Sequence, residues 1–242
     1  MSQRVAIIGG SKEAIVIAAM LQENGIEYLL FDTKKYASPD PITSRRYTRD
    51  TDWQAALTGF DLAIIAPHPF AFDRVLIPKS VTIPQAAFCR PKWQTKPNWT
   101  LVPDAQTAAD TLVKIGAKRP LVAIGRERLA PLLDTRIRDM QVRCKSEPLP
   151  DFNGKATPVL MRGPFTVAEE IKYMQTNAID CVVAHNAGGE GGLPKLDAAD
   201  QLNLPVILID RAEIAWDQSF DTMTDLTGWL RTQGLDLPAK RP

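Results

Sequence analysis

Residues 5–14 read VAIIGGSKEA, and this stretch decides the fold. A short, continuously apolar run that ends in glycine is typical of a parallel strand buried on both faces. Apolar residues at helical spacing overlap its end and follow it: Ala14, Ile17, Ala18 and Leu21. Because these four positions share one face of a helix, the stretch predicts a strand, a glycine turn and an amphipathic helix. That is the first step of a βαβ unit.

The same alternation continues along the chain. The further apolar runs are YLLFD at 28–32, LAIIA at 62–66, LVAIG at 121–125, PVLM at 158–161, CVVA at 181–184 and VILID at 206–210. Helical periodicity is found at about 104–115, 166–177, 195–203 and 222–233. Strands that alternate with helices in this way predict an α/β fold with mainly parallel sheets.

The strand-to-glycine pattern restarts at residues 121–126, LVAIGR. Before it, residues 91–103 (PKWQTKPNWTLVP) are rich in proline, tryptophan and lysine and show no clear period. We therefore predict two Rossmann-like domains, an N-terminal one at 1–100 and a C-terminal one at 101–242. Their carboxyl strand ends are expected to face a shared cleft, because open parallel sheets bind ligands at that edge.

Composition and charge exclude several classes of protein. The 242 residues are 45% hydrophobic, which is enough for a folded core and too much for a disordered chain. The 29 basic and 28 acidic residues give a net charge of +1, so no nucleic-acid partner is expected. No apolar run reaches the length of a membrane span. We expect a cytoplasmic protein, without a membrane partner, that is a monomer or a small oligomer.

Residues that bind metals or act as nucleophiles are few. Cys89, Cys144 and Cys181 are scattered and form no CxxC pair, which fits a reducing compartment. The two histidines, His68 and His185, have no acidic neighbour at the spacing of a metal site. We therefore expect no metal.

The glycine turn after the first strand is a candidate ligand site. Gly9 and Gly10 allow a sharp turn and the close approach of a ligand, and the helix that follows presents free N–H groups to an anion. For Ser11 and Glu13 two interpretations stay open, ligand binding and local helix capping. A full G-x-G-x-x-G fingerprint is absent, so the turn alone does not establish a dinucleotide site.

Two further candidates lie at strand ends in the first half. Asp32 closes the second strand at the place of a ribose-binding acid, and a strand-end turn residue is an equal interpretation. His68 follows the third strand between two prolines. It is either a ligand-facing acid, base or hydrogen-bond donor, or an ordinary loop histidine.

The second half carries glycine or basic residues at three strand ends. They are Gly125 and Arg126 after one strand, Arg162 and Gly163 after the next, and Asn186, Gly188, Gly189, Gly191 and Lys195 after the third. The ends of parallel strands meet at one edge of a sheet. The pattern therefore predicts a basic, glycine-lined crevice for phosphate or carboxylate groups.

Taken in order, six segments resemble the precorrin-6A reductases of cobalamin biosynthesis. They are Gly9–Ala14 (GGSKEA), His68–Ala71 (HPFA), Arg90–Trp93 (RPKW), Ile124–Leu129 (IGRERL), Arg162–Phe165 (RGPF) and the block from His185 to Arg211. The resemblance covers nearly the whole chain. It implies an NADPH-dependent reduction of a corrin-ring double bond, precorrin-6A to precorrin-6B, with the hydride supplied by the cofactor.

The resemblance also implies two ligand sites. Since Asp32 would repel the 2′-phosphate of NADPH, we expect the cofactor in the second half. The expected NADPH ligands are Gly125, Arg126, Arg162, Gly163, Asn186, Gly188, Gly189 and Gly191. The expected ligands of the precorrin tetrapyrrole are Gly9, Gly10, Ser11, Glu13, His68, Arg46 and Lys195. No residue is assigned as catalytic.

Among the departures of the chain from the family pattern, two concern the binding of the substrate. His185 stands where the family usually has lysine, and TSRRYTRDTDWQAAL at 43–57 replaces a glycine-rich stretch. For Arg45, Arg46 and Arg49 in that segment, two interpretations stay open: a guanidinium on a substrate carboxylate, or a solvated loop. The alternative to an enzyme is a diverged, non-catalytic paralogue that binds a tetrapyrrole or a nucleotide on the same fold.

Overall fold

In the computed structural model, the continuous apolar runs form parallel strands. The structure describes residues 3–32, 44–75, 77–213 and 216–238. Its strands are β1 (Arg4–Ile8), β2 (Glu27–Asp32), β3 (Ser44–Arg46), β4 (Leu62–Ile65), β5 (Gln85–Phe88), β6 (Trp99–Val102), β7 (Pro120–Ala123), β8 (Gln141–Cys144), β9 (Thr157–Leu160), β10 (Cys181–His185), β11 (Val206–Ile209) and β12 (Ser219–Phe220). Its helices are α1 (Lys12–Glu23), α2 (Trp53–Ala56), α3 (Ala105–Lys114), α4 (Ala130–Leu133), α5 (Val167–Thr176), α6 (Pro194–Gln201) and α7 (Met223–Thr232).

Within the described ranges, the strands form two sheets of six. The first has the order β12-β5-β4-β1-β2-β3, and the second has the order β6-β11-β10-β7-β8-β9. All neighbours are parallel. The strand order reverses between β1 and β4 and again between β7 and β10, as in a Rossmann sheet. The prediction of two Rossmann-like domains with mainly parallel sheets is confirmed, whereas the shared cleft stays a prediction.

The first sheet is buried on both faces, which explains why its strands are continuously apolar. Successive side chains of β1 point to opposite faces. Ile7 packs with Leu21 of α1 on one face, and Ile8 packs with Trp53 of α2 on the other. Burying each such aliphatic side chain stabilises the fold by about 1.5–3 kcal/mol.

The second sheet has a core of the same kind. Leu121 of β7 and Val182 of β10 are fully buried and pack with Leu196 of α6. The helix therefore covers the sheet directly beside the reversal of the strand order. No helix in the described part of the chain is both long and apolar enough to cross a membrane.

The chain divides into compact units at other places than the sequence analysis predicts. One unit is residues 1–91 together with 213–242, and the other is residues 92–212. The predicted limits, 1–100 and 101–242, are therefore corrected at both ends: β6 belongs to the second unit, and α7 and β12 belong to the first. In the first unit, β12 pairs with β5, and Leu226 of α7 lies in the same core as Val5. An amphipathic helix has the same pattern whichever sheet it covers, so periodicity could not reveal this return.

We predict that Leu226→Ala lowers the free energy of unfolding by about 2–5 kcal/mol, because it leaves a cavity in the core of the first unit. Thr224→Ala, at an exposed position of the same helix, is the control and should change it by less than ~0.5 kcal/mol. Urea unfolding measures both values. Hydrogen exchange should show faster opening in β1 and β4, and faster opening in β7 and β10 alone would contradict the assignment of α7.

Candidate functional site

The first glycine turn is packed too tightly for side chains. Gly9 has a φ of 135°, and a Cβ there would lie 2.3 Å from the carbonyl group of Ala66, just after β4. A Cβ on Gly10 would lie 2.1 Å from Asp32 Oδ1 at the end of β2. Both distances are shorter than real van der Waals contacts. The two glycines therefore allow the ends of three neighbouring strands to approach one another, so the fold itself requires them.

The residues after this turn form a helix cap and an ion pair. Ser11 Oγ accepts a hydrogen bond from Ala14 N at 3.1 Å, so Ser11 caps α1. Glu13 Oε1 lies 2.7 Å from Arg90 Nη1. Burial acts to raise the pKa of the Glu13 carboxyl, but the Arg90 guanidinium and local hydrogen bonds outweigh it, and the pKa lies below its ordinary value. Glu13 is therefore a carboxylate whose charge Arg90 balances.

Three more candidates lie at the same carboxyl edge of the first sheet. Asp32 is 3% exposed, and its carboxylate lies against Gly10 of the first glycine turn. Arg46 is exposed and ends β3 opposite Asp32 in the ladder. His68 is exposed after β4, and its Nδ1 accepts a hydrogen bond from Phe70 N at 3.3 Å. Of the seven predicted substrate ligands, all but Lys195 thus lie at this edge.

Predicted cofactor residues also follow β7 and β9 in the second unit. Gly125 has a φ of 81°, and an added Cβ would meet nothing within 4 Å. Arg126 is exposed, and its Nη2 donates a hydrogen bond to Ser146 O. Arg162 and Gly163 after β9 are exposed as well. These residues lie at the carboxyl edge of the second sheet, where Rossmann folds bind their ligands.

The segment after β10, residues 186–192, is called the glycine-rich loop from here on. Gly188 and Gly189 have φ values of 70° and 74°, a left-handed conformation that favours glycine. Gly191 is exposed and lies in a short 3₁₀ turn at the end of the loop. The loop therefore presents backbone rather than side chains over much of its length.

Asn186 at the start of this loop is a buried support. Its side chain is only 2% exposed. Oδ1 accepts a hydrogen bond from Trp93 N at 2.9 Å, and Nδ2 donates to Asp210 Oδ1 at 3.4 Å. Because both ends of the amide are engaged inside the unit, Asn186 can serve a ligand only by holding the loop in place or through its backbone.

Lys195 lies in the first turn of α6, directly after the loop. Its Nζ donates a hydrogen bond to Gly192 O at 2.7 Å. The pKa of the Lys195 ammonium is lowered to about 8, first by burial and then by the positive charges of Arg143 and Lys145, while Glu170 acts in the opposite direction.

Sequence reasoning missed a buried ion pair that supports this edge of the second unit. Arg143 of β8 meets Glu170 of α5 in a bidentate pair, with both N···O distances at 2.7 Å. The Arg143 guanidinium also lies over the ring of Phe165, 4.9 Å from Cζ to the ring centroid. It thereby holds the segment that carries Arg162. No pattern in the sequence connects Arg143 with Glu170, since only the fold brings the strand and the helix together.

The polar groups at the candidate site are of the kind that binds anions. Among the described residues, no group of three His, Cys, Asp or Glu side chains is arranged to hold a metal ion. All three cysteines are buried, and burial together with neighbouring Asp180 raises the pKa of Cys181 to about 12. That thiol is therefore unsuited to act as a nucleophile. What the site presents instead is glycine backbone, guanidinium groups and an ammonium group, which bind phosphates and carboxylates.

Comparison with known proteins identifies the family. A family model described as precorrin-6x reductase CbiJ/CobK matches residues 4–231. The chain belongs to this family. A precorrin-6A reductase of Rhodobacter capsulatus is 33% identical over 248 residues, which cover 96% of this chain and 97% of that protein. A precorrin-6A reductase of Rhodococcus erythropolis is 29% identical over 245 residues, which cover 95% of this chain and 98% of that protein.

A solved structure of a protein named CobK precorrin-6A reductase has the same fold. Its TM-score is 0.83 at 30% identity, and the match covers 97% of this chain and 98% of that one. The resemblance that the six sequence segments carry is thus confirmed. This member of the CbiJ/CobK family is an oxidoreductase of cobalamin biosynthesis.

We predict that Lys195 makes the free energy of unfolding rise with pH between about pH 8 and pH 10.5. The lower limit is the pKa of Lys195 in the folded protein, and the upper limit is the ordinary pKa of a lysine. In that window the folded state has released the Lys195 proton while the unfolded state still holds it, so a rise in pH favours folding. Urea unfolding at about pH 7.5 and about pH 9.5 measures the change. Lys195→Met should remove this part of the rise, and Lys118→Met, at an exposed lysine of the same unit, should keep it. An equal rise in both variants would contradict the assignment to Lys195.

Proposed function

We propose that this CbiJ/CobK family member is a precorrin-6A reductase that transfers a hydride from NADPH to a ring double bond of precorrin-6A, which also takes up a proton from solvent, and so forms precorrin-6B. The observation that carries the proposal is that one chain holds two Rossmann-type sheets, each with a glycine turn where its strand order reverses. A nicotinamide-dependent reduction needs two binding sites, one for the dinucleotide and one for its substrate. The relatives named precorrin-6A reductase match over nearly the full length of both chains, which supports the reaction.

The second unit fits a phosphorylated nucleotide better than the first. There, the Cβ position of Gly125 opens onto free space, and Arg126 is exposed beside it. In the first unit the corresponding space at Gly10 is filled by the carboxylate of Asp32, a charge that disfavours a 2′-phosphate. The NADPH ligands that we propose are Gly125, Arg126, Arg162, Gly163, Gly188, Gly189 and Gly191, with Asn186 as the support of their loop. When bound, NADPH would supply the hydride.

The first unit is then the site of the tetrapyrrole. The proposed ligands are Gly9, Gly10, Ser11, Glu13, His68 and Arg46. Arg46 and His68 are exposed polar groups at one sheet edge, and the carboxylates of a precorrin suit a guanidinium donor. Lys195 was expected with this set, but its ammonium contacts the glycine-rich loop of the second unit, so we propose that it acts there on an anionic group. The chain's own contribution is to bind and orient the two molecules, and no side chain is assigned a covalent role.

The purified protein, precorrin-6A and NADPH test the reaction directly. We expect NADPH absorbance to fall only when the tetrapyrrole is present, with one NADPH consumed per precorrin-6B formed. Fluorescence titration with NADPH alone gives the binding step. Saturable binding without oxidation, or tetrapyrrole binding without any NADPH binding, would instead favour the non-catalytic paralogue.

We predict that Arg126→Glu weakens NADPH binding by about tenfold or more and NADH binding by less than about threefold, because the arginine would meet the 2′-phosphate. Arg138→Glu is a matched control: it makes the same charge change at an exposed arginine that also donates to a backbone carbonyl, before β8 rather than after a strand. Titration of both nucleotides by fluorescence gives the ratios. Equal weakening of NADPH and NADH would refute the role in 2′-phosphate recognition.

We predict that Arg46→Ala raises the KM for precorrin-6A by about tenfold or more, a loss of ~1.4 kcal/mol, and leaves NADPH affinity unchanged. The reason is the loss of a charged contact to a carboxylate of the macrocycle. Arg45→Ala and Arg49→Ala test the neighbouring arginines of the same segment. If steady-state kinetics show less than a twofold change in all three variants, these arginines are solvated surface residues.

A further inference from the structure

The RPKW segment ends on a tryptophan that none of the functions discussed above uses. Trp93 is half-buried in the second unit, outside the strands and helices. We propose that Trp93 is the positioning residue of the glycine-rich loop: its indole fixes the loop and the Lys195 ammonium in the geometry that binds the nucleotide phosphates. The inference deepens the proposed NADPH site and rests on it.

Two hydrogen bonds from Trp93 fix the path of the loop. Trp93 N donates to Asn186 Oδ1 at 2.9 Å, and Trp93 Nε1 donates to Gly189 O at 3.0 Å. These contacts lie on either side of Gly188, whose φ of 70° gives the chain its left-handed turn. Trp93 therefore restrains the loop on both sides of Gly188, through its backbone N–H at Asn186 and through its indole N–H at Gly189. Glycine loses more conformational entropy on ordering than any other residue, so an external restraint is needed to order it.

Contact with the indole also explains the last glycine of the loop. Gly192 has no left-handed φ that would require glycine. A Cβ at Gly192 would, however, lie 2.7 Å from Cη2 of the Trp93 ring, well inside van der Waals distance. Gly192 is therefore glycine because the indole lies against its backbone. Its role is to accommodate Trp93.

The Trp93 ring, which lies against Gly192, is also close to the positive charge of Lys195. Gly192 O accepts the hydrogen bond of Lys195 Nζ at 2.7 Å, and that Nζ lies 5.9 Å from the centroid of the Trp93 ring. The indole thus covers the ammonium on one side. The other charged groups that act on it are Arg143 and Lys145, at and after β8, and Glu170 on α5. Removal of the indole would admit water to Nζ and let the pKa of Lys195 rise from about 8 toward its ordinary value of 10.5.

Three variants separate the parts of this role. Trp93→Ala removes the ring and its donor, whereas Trp93→Phe keeps a ring and loses only the Nε1 donor. Trp99→Phe is the matched control, since Trp99 is a buried tryptophan of the same unit with a lysine amine, Lys96 Nζ, 5.4 Å from its ring centroid. Trp99 lies in β6, and the core cluster that contains it includes no residue of the glycine-rich loop.

The first measurement uses the protein without ligand. Hydrogen exchange followed by mass spectrometry should show exchange in residues 186–192 about tenfold faster in Trp93→Ala, which loses both the ring contact and the Nε1 donor, and about threefold faster in Trp93→Phe, which loses only the donor. Both variants keep the backbone N–H that donates to Asn186. The pH dependence of Lys195 acetylation by acetic anhydride should report a higher pKa in Trp93→Ala than in the wild type. Trp99→Phe should change neither. Exchange within twofold of the wild type together with an unchanged Lys195 pKa would overturn the proposal.

The second measurement is NADPH affinity at about pH 7, read from nucleotide fluorescence, with expected losses of about tenfold in Trp93→Ala and about threefold in Trp93→Phe. If Trp93→Ala does not fold, Trp93→Phe alone decides both measurements. If the wild type binds NADPH and a loosened loop binds it equally well, the positioning role is refuted. If the wild type binds no NADPH, the proposed cofactor fails, and the inference about nucleotide binding fails with it for that separate reason.

Discussion

A parallel strand that is covered on both faces has no side chain left for a ligand, and this constraint arranges the whole molecule. The side chains of Ile7 and Ile8 in β1 and of Leu121 in β7 are buried in the hydrophobic cores, where they cannot contact a ligand. Chemistry can then occur only at strand ends, and in a parallel sheet all the carboxyl ends lie at one edge. That edge is where both units carry their glycine turns and basic residues. The helices α1 and α6 begin there for the same reason, because each crossover has to start where its strand stops.

Buried strands were easier to predict from the sequence than exposed ones. Strands with continuous aliphatic runs, such as β1, β4, β10 and β11, were predicted within one or two residues. Strand β3 was not, because it is three residues long and exposed, and its pairing comes from the neighbouring β2. The helical periodicity also failed to predict α2 and α4, because each is a single turn of four residues. Local composition carries no record of such tertiary pairing.

For the candidate site, residue types were predictable and contacts were not. Glycines at strand ends are a local pattern, so their gathering at two sheet edges followed from the parallel order. Their reasons differ, however: Gly9 avoids a neighbouring strand, Gly188 adopts a left-handed φ, and Gly192 makes room for an indole. A glycine in a motif is therefore no measure of ligand contact. The Arg143–Glu170 pair and the bonds of Trp93 join distant segments, which a single sequence does not connect.

The pairing of β12 with β5 also determines the order in which the protein can mature on the ribosome. The second unit is one uninterrupted stretch, residues 92–212, so all of its strands are available once that stretch has left the exit tunnel. The first unit starts earlier but lacks its outermost strand and α7 until the whole second unit has been translated. Until β12 has been synthesised, the edge of β5 in the first sheet therefore stays unpaired. Unpaired strand edges are prone to pair with other chains. The later-synthesised unit is thus the first for which all strands are available for folding.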